Sequence, residues 1–63
     1  MNFLLATVYV YTSGQGIRLV IDGETTRTTK WYRHLSSYTP SNGDRVLVLE
    51  IAGTYIVLGK IVL

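Results

Sequence analysis

A chain of 63 residues with net charge +2, one histidine and no cysteine has room for one small domain. It excludes disulfide staples, thiolate metal sites and a metal centre built on histidines. Hydrophobic residues at 48% against 16% charged can build a core, and the apolar excess favours self-association or burial in a larger assembly. The mild positive charge falls short of the dense stripe of a dedicated nucleic-acid binder.

The first eight residues begin like the apolar segment of a signal peptide. They lack its basic start, and no small-residue cleavage site follows. No run approaches the roughly 18 apolar residues of a membrane helix. The expectation is a soluble protein that needs neither a targeting segment nor a membrane.

Residues 5–11 form the first predicted strand. Ala6, Val8 and Val10 point to one side, and Thr7, Tyr9 and Tyr11 to the other. Gly14 and Gly16 supply positive φ for a hairpin into a second strand over 17–21, with Ile17, Leu19 and Ile21 inward and Arg18 and Val20 outward. Asp22-Gly23 turns the chain into a polar, threonine-rich stretch at 25–32, read as an edge strand that Arg27 and Lys30 protect. Trp31, Tyr32, Leu35 and Tyr38 then pack as a short helical turn or loop against one barrel end, and Pro40 stops any helix there.

The last two strands are the clearest. Residues 45–51 and 54–62 are apolar on both faces, joined by a two-residue Ala52-Gly53 turn. Two apolar faces mean burial on both, or one face offered to a partner. Gly59 falls where a small barrel bends sharply. Together these elements predict one all-β domain over 1–63, a small five-stranded OB-like or SH3-like barrel with few exposed edges.

No arrangement of residues points to catalysis. Asp22 and Asp44 adjoin turn glycines and read as backbone caps. Glu50 sits among apolar neighbours and faces solvent or an interface. His34, Ser36 and Ser37 are too close in sequence for a nucleophile and base, and no motif places an orienting acid. Gly14-Gln15-Gly16 lacks the Gly-Lys-Ser/Thr and helix of a phosphate loop. The expectation is no enzyme, no cofactor, no metal and no small-molecule substrate.

The candidate interaction surface is Tyr9, Tyr11, Arg18, Arg27, Lys30, Trp31 and Tyr32. Aromatics beside basic groups suit single-stranded nucleic acid, each stacked base contributing roughly 1–3 kcal/mol. Aromatics and arginine are equally the side chains of protein interfaces. The two-faced hairpin favours the protein interface, and nucleic acid is the second reading.

A pattern in the C-terminal half bears on the choice. Ser37-Tyr38-Thr39-Pro40-Ser41-Asn42-Gly43-Asp44-Arg45-Val46-Leu47-Val48-Leu49, then Ala52-Gly53-Thr54-Tyr55-Ile56-Val57-Leu58-Gly59-Lys60-Ile61, resembles small OB-like modules of bacteriophage and prophage tail and other virion proteins. Ile21-Asp22-Gly23-Glu24-Thr25 resembles their middle turn, so the likeness spans residues 6–62. It implies a structural or assembly part of a phage particle, associated with tail, baseplate or connector. Its partners would be further copies of itself or a larger phage structural protein, and its location the virion or the host bacterial cytoplasm. The departure is size, since such modules sit inside longer proteins.

Overall fold

The structure, a computed structural model, describes residues 1–62. Leu63, the last position of the expected domain, lies outside the described residues. Five strands follow in chain order: β1 (Asn2–Thr12), β2 (Gly16–Ile21), β3 (Arg33–His34), β4 (Arg45–Ile51) and β5 (Thr54–Lys60). Among the described residues the rest is turn and loop, without helix.

The strands form one curled sheet in the order β2-β1-β4-β5-β3. Every pairing is antiparallel except β3 with β5. Across the remaining gap, Ile17 and Tyr32 exchange both backbone bonds, at 2.9 and 2.8 Å. The ring therefore runs β1-β2-β3-β5-β4 and back to β1. The chain is a small, partly open all-β barrel, and its strand order with one parallel pair is the OB-like alternative.

Alternation explains the core. Ala6, Val8, Ile17, Leu19, Val46, Val48 and Val57 point inward and are buried, and Tyr38 joins them from the loop before β4. Burying each of the larger ones contributes about 1.5–3 kcal/mol. The turns use the expected chemistry. Gly14 and Gly16 have φ of 88° and 115°, and Ala52-Gly53 makes a two-residue hairpin with φ of 53° and 80°.

Several expectations need correction. The first strand begins at Asn2 rather than at residue 5, because Asn2, Phe3 and Leu4 pair with Glu50, Leu49 and Val48. The fifth ends at Lys60 rather than 62.

Residues 25–32 are no strand. Leu19 is already satisfied by one residue: its carbonyl accepts from Thr28 N at 2.7 Å, and its amide donates to Thr28 Oγ1 at 3.1 Å. The threonine hydroxyl replaces a strand carbonyl, so the loop touches β2 at a point, and the third strand shrinks to Arg33–His34. The edge protection assigned to Arg27 and Lys30 lapses with that strand. The segment after it is a loop rather than a helical turn, with Tyr38 buried and Leu35 exposed.

Asp22 is also no backbone cap. Its carboxylate takes both Nη atoms of Arg45, at 2.6 and 2.8 Å, and ties the β2 turn to the start of β4. Asp44 does cap its turn, accepting from Ser41 N at 3.2 Å.

Finally, the register slips between Val8 and Val10. Val8 lies opposite inward Leu19, Val10 opposite outward Arg18, and Tyr11 opposite inward Ile17. Tyr9 is the extra residue of a bulge, and beyond it the faces of β1 exchange. Val10 is thus turned outward and Tyr11 inward. A second slip leaves Leu58 unpaired beside Gly59, where a bend was expected.

Candidate interaction surfaces

The bulge decides which aromatics reach solvent. Tyr9 is half exposed on the outer face, and the Arg27 guanidinium lies 5.2 Å from its ring centroid. Arg18, outward on β2, places its guanidinium 4.5 Å from the centre of the Trp31 ring. Arg18 Nε is buried with no hydrogen-bond partner among the described residues. Lys30, next to Trp31 in the loop, is exposed, and its carbonyl accepts from Thr28 Oγ1 at 3.1 Å. Four of the seven predicted residues, Tyr9, Arg18, Arg27 and Trp31, are therefore held in two ring–cation stacks on β1, β2 and the following loop.

Tyr11 and Tyr32 do not join them. Tyr11 packs against the core and meets His34 edge-on at 5.9 Å. Tyr32 also packs on the core, stacks against Tyr55 at 4.9 Å and closes the barrel through its backbone. Between Tyr32, Tyr55 and the loop lies an open groove of about 350 Å³, which Arg27, Lys30 and Thr28 also line.

Below Tyr11, His34 contacts Tyr38 edge-on at 6.0 Å, and its Nδ1 lies 2.8 Å from the Leu35 carbonyl, so Nδ1 carries a proton. Tyr38 donates its hydroxyl to Asp44 Oδ2 at 2.7 Å, and Lys60 Nζ stands 3.5 Å from Asp44 Oδ1. Burial, then the bond to Asp44, pushes the phenol pKa above its ordinary value. The same bond holds the Asp44 carboxyl below the usual carboxylate range, as Arg45 does for Asp22. These shifts have structural causes, the Tyr38–Asp44 and Arg45–Asp22 contacts at two turns.

A second surface lies on the other side of the barrel, on β1, β4 and β5. The register sets Phe3 opposite Leu49, Leu5 opposite Leu47, Leu49 opposite Ile56 and Ile51 opposite Thr54. All have the parity opposite to buried Ala6, Val46, Val48 and Val57, so they face outward. Phe3 is 65% exposed, Leu5 44% and Ile51 38%, while Leu47, Leu49 and Ile56 are half-buried. The two-faced hairpin was legible in the sequence, but the share of β1 in this surface was not. Glu50 falls on the inner side, beyond the core, with Asn2 Nδ2 3.4 Å from its Oε1.

No protein-family model, no curated protein and no solved structure matches the chain.

Proposed function

We propose that this chain is a structural assembly module of a phage or prophage particle, associated with tail, baseplate or connector, and that it works by docking to protein rather than by catalysis. The observation that carries the reading is the outward row Phe3, Leu5, Leu47, Leu49, Ile51 and Ile56 on a sheet whose inner face already has its core. A contiguous apolar face of this kind suits a partner that removes it from water. The likeness of residues 6–62 to virion modules supplies the phage context. The experiment is to purify particles from cells that make the chain and to measure their protein content by mass spectrometry. The chain is expected in the particle at fixed stoichiometry, and Leu49→Lys is expected to fold yet be lost from it. Recovery of the unaltered chain only as a free monomer overturns the reading.

A second reading has its own observation. The Tyr9–Arg27 and Arg18–Trp31 stacks set rings against cations, and exposed Lys30 lies in the same loop as Arg27 and Trp31. Such a surface suits a single-stranded nucleic acid. Each arginine also covers a ring face that a base would need, which sets this reading second. Trp31 fluorescence titrated with a single-stranded oligonucleotide separates the two: a response that weakens steeply with salt supports the nucleic acid, and no response removes it.

A further inference from the structure

The residue that carries the ladder past the β1 bulge is also chemically labile. On the β4 side, Val8 N donates to Asp44 O and Val8 O accepts from Gly43 N, both at 2.8 Å. Beyond Tyr9 the next bond goes to a side chain: Tyr11 N donates to Asn42 Oδ1 at 3.0 Å. The Asn42 amide thus stands in for a strand carbonyl, and the turn before β4 straps the bulge. Asn42 is exposed and precedes glycine, which has no side chain to shield its nitrogen.

We propose that Asn42 is a deamidation site governed by the fold, closed in the native barrel and open when the turn over 41–44 leaves β1. The inference is independent of what the apolar face binds. Gly43 N, its proton lost to a solvent base, attacks Asn42 Cγ. The Cγ–Nδ2 bond breaks, and ammonia leaves with a proton from water. The cyclic imide joining residues 42 and 43 then takes up one water and opens at either carbonyl. One opening gives aspartate, the other isoaspartate, whose main chain runs through Cβ.

The native geometry blocks the first step. Asp44 N donates to Ser41 O at 3.2 Å, Gly43 has φ of 90°, and Asn42 is not among the residues of positive φ. That is a type II turn, which sets ψ of Asn42 near about +120°. Gly43 N then lies on the far side of the Cα–C bond from Cγ, and ring closure needs the opposite rotation. The nucleophile is also tied, since Gly43 N–H is held by Val8 O, and so is the electrophile, since Oδ1 is held by Tyr11 N. All of these constraints are released by one event, the turn leaving β1.

The two products differ in fit. Aspartate keeps an oxygen where Oδ1 was and still accepts from Tyr11 N. Isoaspartate lengthens the main chain by one carbon, which displaces Gly43 N from Val8 O. It also shortens the branch, which no longer reaches Tyr11 N. A passing opening of the turn is thereby converted into a lasting loss of the strap.

The test is to age the full chain in mildly alkaline buffer, folded, in denaturing urea, and as unfolded Val57→Lys without urea. Peptide mass spectrometry then measures aspartate and isoaspartate at position 42, separately from isomerisation at Asp22-Gly23. Deamidation of the folded chain is expected to be slower by about tenfold or more than in either unfolded chain, and to rise with urea in step with hydrogen exchange of the Gly43 amide. Should Val57→Lys fold, the urea sample alone supplies the unfolded rate. Equal rates in folded and unfolded chains overturn the proposal, as does an unfolded chain that leaves Asn42 intact. Asn42→Asp is expected to keep the denaturation midpoint of the unaltered chain, and chains carrying isoaspartate at 42 to refold with a lower one. An isoaspartate chain with an unchanged midpoint, or an equal drop in Asn42→Asp, overturns the role given to the strap.

Discussion

Gly16 and Tyr32 meet where the barrel closes, and only glycine fits. The Tyr32 carbonyl accepts from Ile17 N at 2.9 Å, and it occupies the space a Cβ on Gly16 would need. Gly16 also has φ of 115°, outside the range of ordinary side chains.

Gly16→Ala therefore loses on two counts. It strains the backbone and pushes away the one residue pair joining β2 to β3. Denaturant titration should show a loss of about 2 kcal/mol or more. Gly14 also has positive φ, but nothing lies within 4 Å of its added Cβ. Gly14→Ala should cost about 1 kcal/mol, and equal losses at the two sites would mean that the Tyr32 contact adds nothing.

Ala52 sits at φ 53° in the β4–β5 turn, a conformation natural to asparagine and glycine. Ala52→Asn should raise stability by about 1 kcal/mol, read as a higher denaturation midpoint with unchanged slope. A lower midpoint would contradict the turn geometry.

The Tyr38–Asp44 bond predicts pH dependence at both ends. Asp44 and Asp22 titrate below the usual carboxylate range when folded. Their contribution is present above about pH 4 and is lost as pH falls through their lowered values, since protons then bind the unfolded chain more readily. Tyr38 titrates above its ordinary value when folded, so stability falls as pH rises past about 10, where only the unfolded phenol ionises. Melting temperature against pH should show both declines. Asp44→Asn should soften the acid one, and Tyr38→Phe should abolish the contribution of this residue to the alkaline one. At neutral pH, Tyr38→Phe should cost about 1–2 kcal/mol for the lost bond to a charged acceptor.

Val57 and Leu49 lie on opposite faces of the same hairpin, so lysine at each separates core from interface. Val57 is fully buried, and Val57→Lys should leave the chain unfolded by circular dichroism. Leu49 faces outward, and Leu49→Lys should fold with a loss of no more than about 1 kcal/mol. Unfolding by both would place Leu49 in the core.

Much of this was legible before any coordinates. The β4–β5 hairpin announces itself through β-branched residues and a two-residue turn, and β2 through Ile17, Leu19 and Ile21. The bulge at Tyr9 was silent because tyrosine suits either face of a sheet, so alternation ran on past it without conflict. That concealed the separation of Tyr9 from Tyr11. The threonines of 25–32 carry strand propensity without apolar periodicity, and propensity alone misled. β3 is two polar residues, too short to leave a pattern. Phe3 and Leu5 looked like a leading apolar run, and only their pairing with Leu49 and Leu47 assigns them to the outer face.

The account stands on that outer face being a contact surface. Sedimentation velocity over a concentration series, comparing the unaltered chain with Leu49→Lys, tests it most directly. The unaltered chain should sediment faster as concentration rises, while folded Leu49→Lys stays a monomer throughout. Identical monomeric sedimentation for both, or association that the lysine leaves unchanged, would contradict the account.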